Sequence, residues 1–221
     1  QVYNNSAQQD ASTEAVRETA GEVLKYKGNI VTTYYYSTSC GKTTTMKAWG
    51  TSENESNGYL QSVEVKDKNG DYEKSLPWYR WEADIDQDIL STLLAENVKK
   101  NIGTVQSLEV TKTGPGGVAL QIKAVGDKGS ITVDTENKIR KALGGNGYEI
   151  KKQDGTVVQS GTLLPSAFFK VKKAGNIFKI IGGGYGHGIG MSQNGANEMA
   201  KTGKNYQEIL QMFYPGTTIE K

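Results

Sequence analysis

Gly182-Gly-Gly-Tyr-Gly-His-Gly-Ile-Gly-Met-Ser-Gln-Asn-Gly-Ala196 holds the only histidine of the chain, His187, between Gly186 and Gly188. Glycine accepts positive φ and lets other groups approach the backbone, so it is dense where a chain bends tightly or floors a ligand. Ile177 to Ile181, just before, reads as a short apolar strand. Gln193 to Lys201, just after, places Ala196, Met199 and Ala200 at helical spacing. The stretch is therefore predicted to be a strand-to-helix turn carrying His187, Met191, Ser192 and Gln193, with free backbone N–H groups at the helix start. Such a turn suits a polar site. Composition leaves open a glycine-rich structural turn around a hydrogen-bonded histidine.

Working outward, residues 1–12 have loop composition, and Thr13 to Thr19 reads as a short helix or turn stopped by Gly21. Glu22 to Tyr26 and Asn29 to Tyr36 flank Lys27-Gly28 as a hairpin. They lead into the hydroxyl-rich loop Ser37 to Thr45. Tyr59 to Val65 alternates like a half-buried strand, Lys66 to Leu76 is a charged loop, and Pro77 to Ala83 is an aromatic strand. Asp86 to Lys100 has Ile89, Leu90, Leu93, Leu94 and Val98 at helical spacing. Val105 to Thr113 and Val118 to Val125 form a hairpin around Gly114-Pro-Gly-Gly117. Ser130 to Val133 is a strand, and Asp134 or Thr135 caps a helix that ends at Gly144. A hairpin at 145–162, around Asp154-Gly155, is the most insertion-like part. Phe168 to Val171 and Asn176 to Ile181 are strands, and a last helix runs from Tyr206 through Phe213. The sum is α+β: mixed, mostly antiparallel strands with a few helices, in one domain over residues 1–221.

The 221 residues suffice for a real core, and a net charge of +2 with interspersed signs demands neither nucleic acid nor an anionic membrane. One cysteine, Cys40, rules out an internal disulfide and a cysteine-rich zinc site. Because the chain starts at Gln1 rather than Met, a removed upstream segment is expected.

The run Gly184 to Ala196, with Met199-Ala200, Tyr206-Gln-Glu-Ile-Leu210 and Phe213-Tyr-Pro-Gly-Thr217, resembles the C-terminal signature of the stage II sporulation protein D family. Gln1-Val-Tyr3, Glu14-Ala-Val, Tyr34-Tyr-Tyr-Ser-Thr-Ser39 with Gly41, Thr43 and Trp49, Tyr59-Leu60, Trp78, Trp81-Glu82, Ile139-Arg140 and Leu164-Pro165-Ser166 agree in order, so the resemblance spans nearly the whole chain. It implies a peptidoglycan lytic transglycosylase that cleaves the bond between N-acetylmuramic acid and N-acetylglucosamine in strands stripped of stem peptides, leaving a 1,6-anhydro end. It also implies an extracytoplasmic location in the cell envelope, secreted or anchored, glycan strands as partner, and an amidase or other envelope proteins of an engulfment complex. No cofactor is implied. The alternative is a non-catalytic amidase enhancer or glycan-binding module.

That cleavage needs a carboxylic acid that protonates the glycosidic oxygen and then serves as base for attack by the sugar's 6-hydroxyl. In the family this glutamate lies ahead of the part matching Gln1-Val-Tyr3, so the chain by itself is expected to lack the acid. Glu82, beside Trp81, is the carboxylate candidate here; an ion pair with Arg80 or a lysine is the competing reading. Asp84, Asp86 and Asp88 read as a helix-capping cluster. Tyr36 stands where the family has a histidine, Cys40 where it has a glycine, and Asn194 where a tryptophan is common. Some members hold zinc near this loop with a histidine and two cysteines, a set this sequence does not contain, so no metal is expected. Ser37, Thr38 and Ser39 from one loop, and Tyr185, Gly186, His187, Gly188, Met191, Ser192 and Gln193 from the other, are the expected walls of a glycan groove. Tyr34, Tyr35, Trp49, Trp78, Trp81 and Tyr185 are candidates for stacking on sugar rings. Ser192 and His187 lack an orienting acid at any defined spacing.

Overall fold

A computed structural model describes residues 7–221. Residues 1–6, with the Gln1-Val-Tyr3 match, lie outside the described residues. The first described element is α1 (Asp10–Glu18), which starts three residues before the helix or turn expected from Thr13, followed by β1 (Val23–Tyr26) and β2 (Asn29–Ile30). Then come β3 (Tyr35–Tyr36), β4 (Lys66–Asp67), β5 (Gly70–Asp71), β6 (Trp81–Asp86), α2 (Gln87–Val98), β7 (Val105–Thr113), β8 (Ala119–Gly126) and β9 (Gly129–Asp134). The rest is α3 (Glu136–Leu143), β10 (Glu149–Lys152), β11 (Val157–Gln159), β12 (Phe169–Ala174), β13 (Ile177–Gly182), β14 (Met191–Ser192), α4 (Gln193–Lys201), α5 (Tyr206–Phe213) and β15 (Thr218–Glu220). The class is α+β, as expected.

The framework is an antiparallel five-stranded sheet in the order β11-β10-β6-β13-β12. In its central strand β6, Trp81, Ala83 and Ile85 are buried while Glu82, Asp84 and Asp86 alternate outward, the period that strand geometry imposes. The hairpin at 145–162 thus supplies a strand that pairs directly with β6. A second sheet, β7-β8-β9, meets α2 and α3 through Leu90, Leu94, Ile122, Ile139 and Leu143. The buried apolar side chains of both sheets and of α5 form one continuous cluster. Asp86 caps α2 by accepting from the Asp88 N–H at 2.8 Å, and Asn205 with Glu208 forms a capping box on α5.

Several expected elements differ. Asn29 to Tyr36 is not one strand: β2 ends at Ile30, and β3 pairs in parallel with β14 instead of extending the hairpin. Tyr59 to Val65 forms no strand among the described residues. The consecutive Tyr59 and Leu60 both drop into the core, and only Glu64 forms a bridge, antiparallel to Lys42, with the Val65 N–H donating to the Gly41 carbonyl and the Thr43 N–H to that of Val63. Pro77 to Tyr79 is a 3-10 turn ahead of β6, as a proline at the first turn favours. Thr135 precedes α3 at φ 72° and makes no side-chain cap; Asp134 belongs to β9.

The glycine run is packed tightly. Gly190 has φ +76°, and a Cβ there would strike the Tyr34 carbonyl; at Gly188, φ +81°, it would strike the Phe168 ring. Left-handed φ and a backbone collision act together at Gly190. Gly190→Ala is expected to destabilise the fold by on the order of 2–4 kcal/mol, read as a lower urea midpoint with unchanged slope.

Candidate functional site

Two loops converge below the end of β13. The hydroxyl loop and the glycine run exchange backbone hydrogen bonds between Thr38 and Tyr185 in both directions, at 3.1 and 2.8 Å. The Thr44 N–H donates to the Gly188 carbonyl at 2.7 Å, the Met191 N–H to that of Tyr34 at 3.0 Å, and the Asn194 N–H to that of Ser37 at 3.0 Å. The glycine run is also fixed from below: the Gly184 N–H donates to Trp78, the Gly186 N–H to Pro165, and the Trp81 indole N–H to the Gly184 carbonyl. The sequence-predicted residues of both loops are therefore brought together.

At the junction lies Glu73, which sequence reasoning passed over within a charged loop. It is fully buried. Its Oε1 accepts from the Ser39 N–H at 2.9 Å and from the Ser192 hydroxyl at 2.7 Å, and its Oε2 accepts from the Ser39 hydroxyl. Ser192 also caps α4 by accepting from the Gly195 N–H at 3.2 Å. A Cβ on Gly195 would stand 2.9 Å from Oε2, so this glycine lets the carboxyl approach the first turn of the helix. The helix-start N–H groups expected to be free are thus engaged by Ser192 and the Ser37 carbonyl. Burial pushes the Glu73 carboxyl above the ordinary glutamate range, against the pull of the Ser39 and Ser192 hydrogen bonds. The Tyr36 hydroxyl is buried without a hydrogen-bond partner among the described residues, and burial followed by the neighbouring Glu73 pushes its pKa well up.

His187 is held on both ring nitrogens by backbone. Nδ1 accepts from the Ile189 N–H at 3.1 Å, which leaves the proton on Nε2, 3.0 Å from the Tyr35 carbonyl that accepts it. Its ring lies against Trp49 and Tyr36, at 5.1 and 5.5 Å between centroids. Burial pushes its pKa down to about 4, outweighing the opposite pull of the Tyr35 carbonyl. Trp49 is tied in turn to the buried Glu136–Arg140 pair, with its indole N–H 3.3 Å from Glu136.

The remaining residues divide by exposure. Thr38, Ser39, Gly188 and Ser192 are enclosed, whereas Ser37, Gly186, His187 and Met191 are half-buried and Tyr185 and Gln193 reach solvent. Tyr185 packs on Trp78 at 4.8 Å between ring centroids. Trp81 is buried and offers no stacking face. Glu82 is ion-paired to Lys179 at 2.8 Å, which holds its carboxyl below the ordinary range, the wrong direction for a general acid. Zinc does not fit this loop: a tyrosine occupies the histidine position, Cys40 is the lone thiol, and among the described residues no group of three His, Cys, Asp or Glu is placed to hold a metal. No helix among the described residues is long and apolar enough to cross a membrane.

Glu73→Ala would strand the buried Ser39 hydroxyl and leave the Ser39 N–H and the Ser192 hydroxyl only longer partners, Ser192 Oγ at 3.2 Å and the Ser37 carbonyl at 3.3 Å, and is expected to cost on the order of 2–4 kcal/mol in urea unfolding; Glu73→Gln, which keeps the shape, is expected to cost less than half as much. For His187 the folded pKa lies below the ordinary 6.5, so the unfolded chain binds the proton more readily. Its contribution is fully present above pH 6.5 and is lost as pH falls toward 4, on the order of 3 kcal/mol. The Hε1 resonance of this sole histidine is expected to titrate near pH 4 in the folded protein.

A family model described as a domain of unknown function (DUF8618) matches residues 46–190, which takes in both the five-stranded and the β7-β8-β9 sheets and His187 itself. The chain is 28% identical to the amidase enhancer of Bacillus subtilis over 99% of its own length and 34% of that protein's. It is 30% identical to stage II sporulation protein D of the same organism over 95% of its own length and 51% of the relative's. The figures for stage II sporulation protein D of Bacillus amyloliquefaciens are 28%, 95% and 51%. The chain thus spans about half, or less, of the length of these relatives. With matches over nearly its entire length and the glycine-histidine run in place, the chain belongs to the stage II sporulation protein D family and carries the DUF8618 domain.

Proposed function

We propose that this chain forms the glycan-binding part of a peptidoglycan lytic transglycosylase acting in the cell envelope, outside the cytoplasmic membrane. The observation that carries the reading is the locked pair of loops, whose buried serines and Glu73 hold Tyr185, Gln193, Ser37 and Gly186 at a solvent-facing rim. Exposed aromatic faces beside amides and hydroxyls suit N-acetyl sugars, which present apolar ring faces and acetamido groups. The names of the relatives, a sporulation protein D and an amidase enhancer, agree with work on the wall.

Neither carboxylate of this region suits the acid role. Glu82 is kept ionised by Lys179, and Glu73, though its pKa is raised in the useful direction, is enclosed and reaches no substrate. The acid is, as the family resemblance implies, a glutamate ahead of the part that matches Gln1-Val-Tyr3. Ser37, Tyr185 and Gln193 orient the sugar at the rim, while the enclosed Thr38, Ser39 and Ser192, with His187 held between backbone groups, act from beneath by fixing the shape of the two loops. A non-catalytic amidase enhancer is the second reading, favoured by the relative of that name matching 99% of the chain.

The test is digestion of denuded glycan strands by this chain and by a form extended upstream, with products read by mass spectrometry. Anhydro-muramyl products from the extended form alone are expected. Products from this chain alone would return the acid to its own residues. No products from either, together with stimulation of an added amidase, would establish the enhancer reading instead.

A further inference from the structure

Each hydroxyl that meets Glu73 has a single hydrogen, and its other contacts are fixed. The Ser39 oxygen accepts from the Gly41 N–H at 3.1 Å and gives its hydrogen to Glu73 Oε2. The Ser192 oxygen accepts from the N–H groups of Ser39 and Gly195, at 3.2 Å each, and gives its hydrogen to Oε1 at 2.7 Å. With the Ser39 N–H at 2.9 Å, three donors face the carboxyl, and no cation is paired to it among the described residues. Around it stand Tyr36 of β3, Cys40 of the hydroxyl loop and Glu198 of α4, itself paired with Lys201; Tyr214 and His187 lie against Tyr36. Asp71, two residues before Glu73, is taken up by the Tyr79 hydroxyl, and Arg80 by the carbonyls of Cys40 and Tyr79. The Tyr36 hydroxyl borders both Glu73 and Ser39, yet it has no partner among the described residues. A buried charge without a counter-ion and a buried hydroxyl without a partner each cost free energy. Both lie in this one cluster.

We propose that Glu73, Ser39 and Tyr36 form a proton latch, in which uptake of one proton from solvent by the Glu73 carboxyl completes the hydrogen bonding of all three and tightens the two loops. The added proton sits on Oε2 and is donated to the Ser39 oxygen. The Ser39 hydroxyl turns its own hydrogen off the carboxyl and onto the Tyr36 oxygen. Oε1 goes on accepting from Ser192 and from the Ser39 N–H. No contact is lost, the buried charge disappears, and the Tyr36 hydroxyl gains a partner. Release of the proton reverses each step. Ser37, Tyr185 and Gln193 ride on these loops, so the order of the solvent-facing rim follows one buried proton. The sign follows from burial. The closed latch holds its proton more tightly than an opened, solvated glutamate does, so closure is favoured in acid and weakens as pH rises from the ordinary glutamate value of about 4.3 through that of Glu73.

The test is amide hydrogen exchange, followed by NMR from about pH 5 to about pH 8, on the full chain and on Glu73→Gln, whose amide keeps the shape of the neutral acid and does not titrate. The N–H groups to follow are those of Thr38, Tyr185 and Asn194, which bridge the two loops. His187 pulls stability the opposite way below pH 6.5, but it is present in both proteins, so the ratio of their protection factors isolates Glu73. That ratio, unaltered chain over variant, is expected to fall about tenfold across the range, since one linked proton changes an equilibrium by up to about tenfold per pH unit. The amides of β8 are expected to show no such fall. Tyr36→Phe removes the acceptor that the neutral form uses and is expected to shrink the fall to about threefold. A constant ratio would overturn the latch, and a fall undiminished in Tyr36→Phe would remove Tyr36 from it. The Cδ resonance of Glu73 in the unaltered chain gives an answer that needs no variant. A titration midpoint above the ordinary glutamate value is expected, and one at or below it would overturn the proposal.

Discussion

A carboxyl group enclosed with no cation paired to it among the described residues is costly, and Glu73 is tolerated because two hydroxyls and an amide point at it from separate parts of the chain. Those donors come from Ser39 in the hydroxyl loop and Ser192 at the cap of α4, so satisfying one side chain fixes two loops that lie over 150 residues apart. The first turn of α4 adds a favourable field at the same point. Loosen Glu73, and the parallel contact of β3 with β14, the Thr38–Tyr185 bridge and the cap of α4 lose their common anchor. The segment that carries Glu73 is itself held: the Gln153 side chain donates to the carbonyls of Lys74 and Leu76, at 2.9 and 2.7 Å. The hairpin that looks insertion-like in sequence therefore serves the site by clamping the loop beside it.

This arrangement separates rigidity from contact. Ser39, Thr38 and Ser192 spend their hydroxyls on the interior, and His187 spends both ring nitrogens on backbone. What faces solvent is a rim of Tyr185, Gln193 and Ser37, presented on a floor that has few ways to move. Preorganisation of this kind lets weak sugar contacts sum, because little conformational freedom is lost on binding.

Much of the fold was legible from local pattern. α2 and α5 follow from apolar spacing with cap residues, and the β7–β8 hairpin follows from Gly114-Pro-Gly-Gly117 between two β-rich runs. Tyr59 to Val65 misled because its pairing is confined to a single antiparallel bridge, Glu64 with Lys42 of the hydroxyl loop, while the adjacent Tyr59 and Leu60 both turn into the core. Asn29 to Tyr36 misled because β propensity says nothing about which strand will pair with which: Tyr35 and Tyr36 found β14, far along the chain.

By itself the sequence determined the glycine-histidine run, the mixed class and the family, since these rest on residue identity and short-range periodicity. Only the tertiary structure decided that Glu73 is the hub, that Glu82 is spent on Lys179, and that His187 stays neutral. The physical reason is that charge state and burial are properties of surroundings. A glutamate in a charged loop reads as solvated until distant serines close over it.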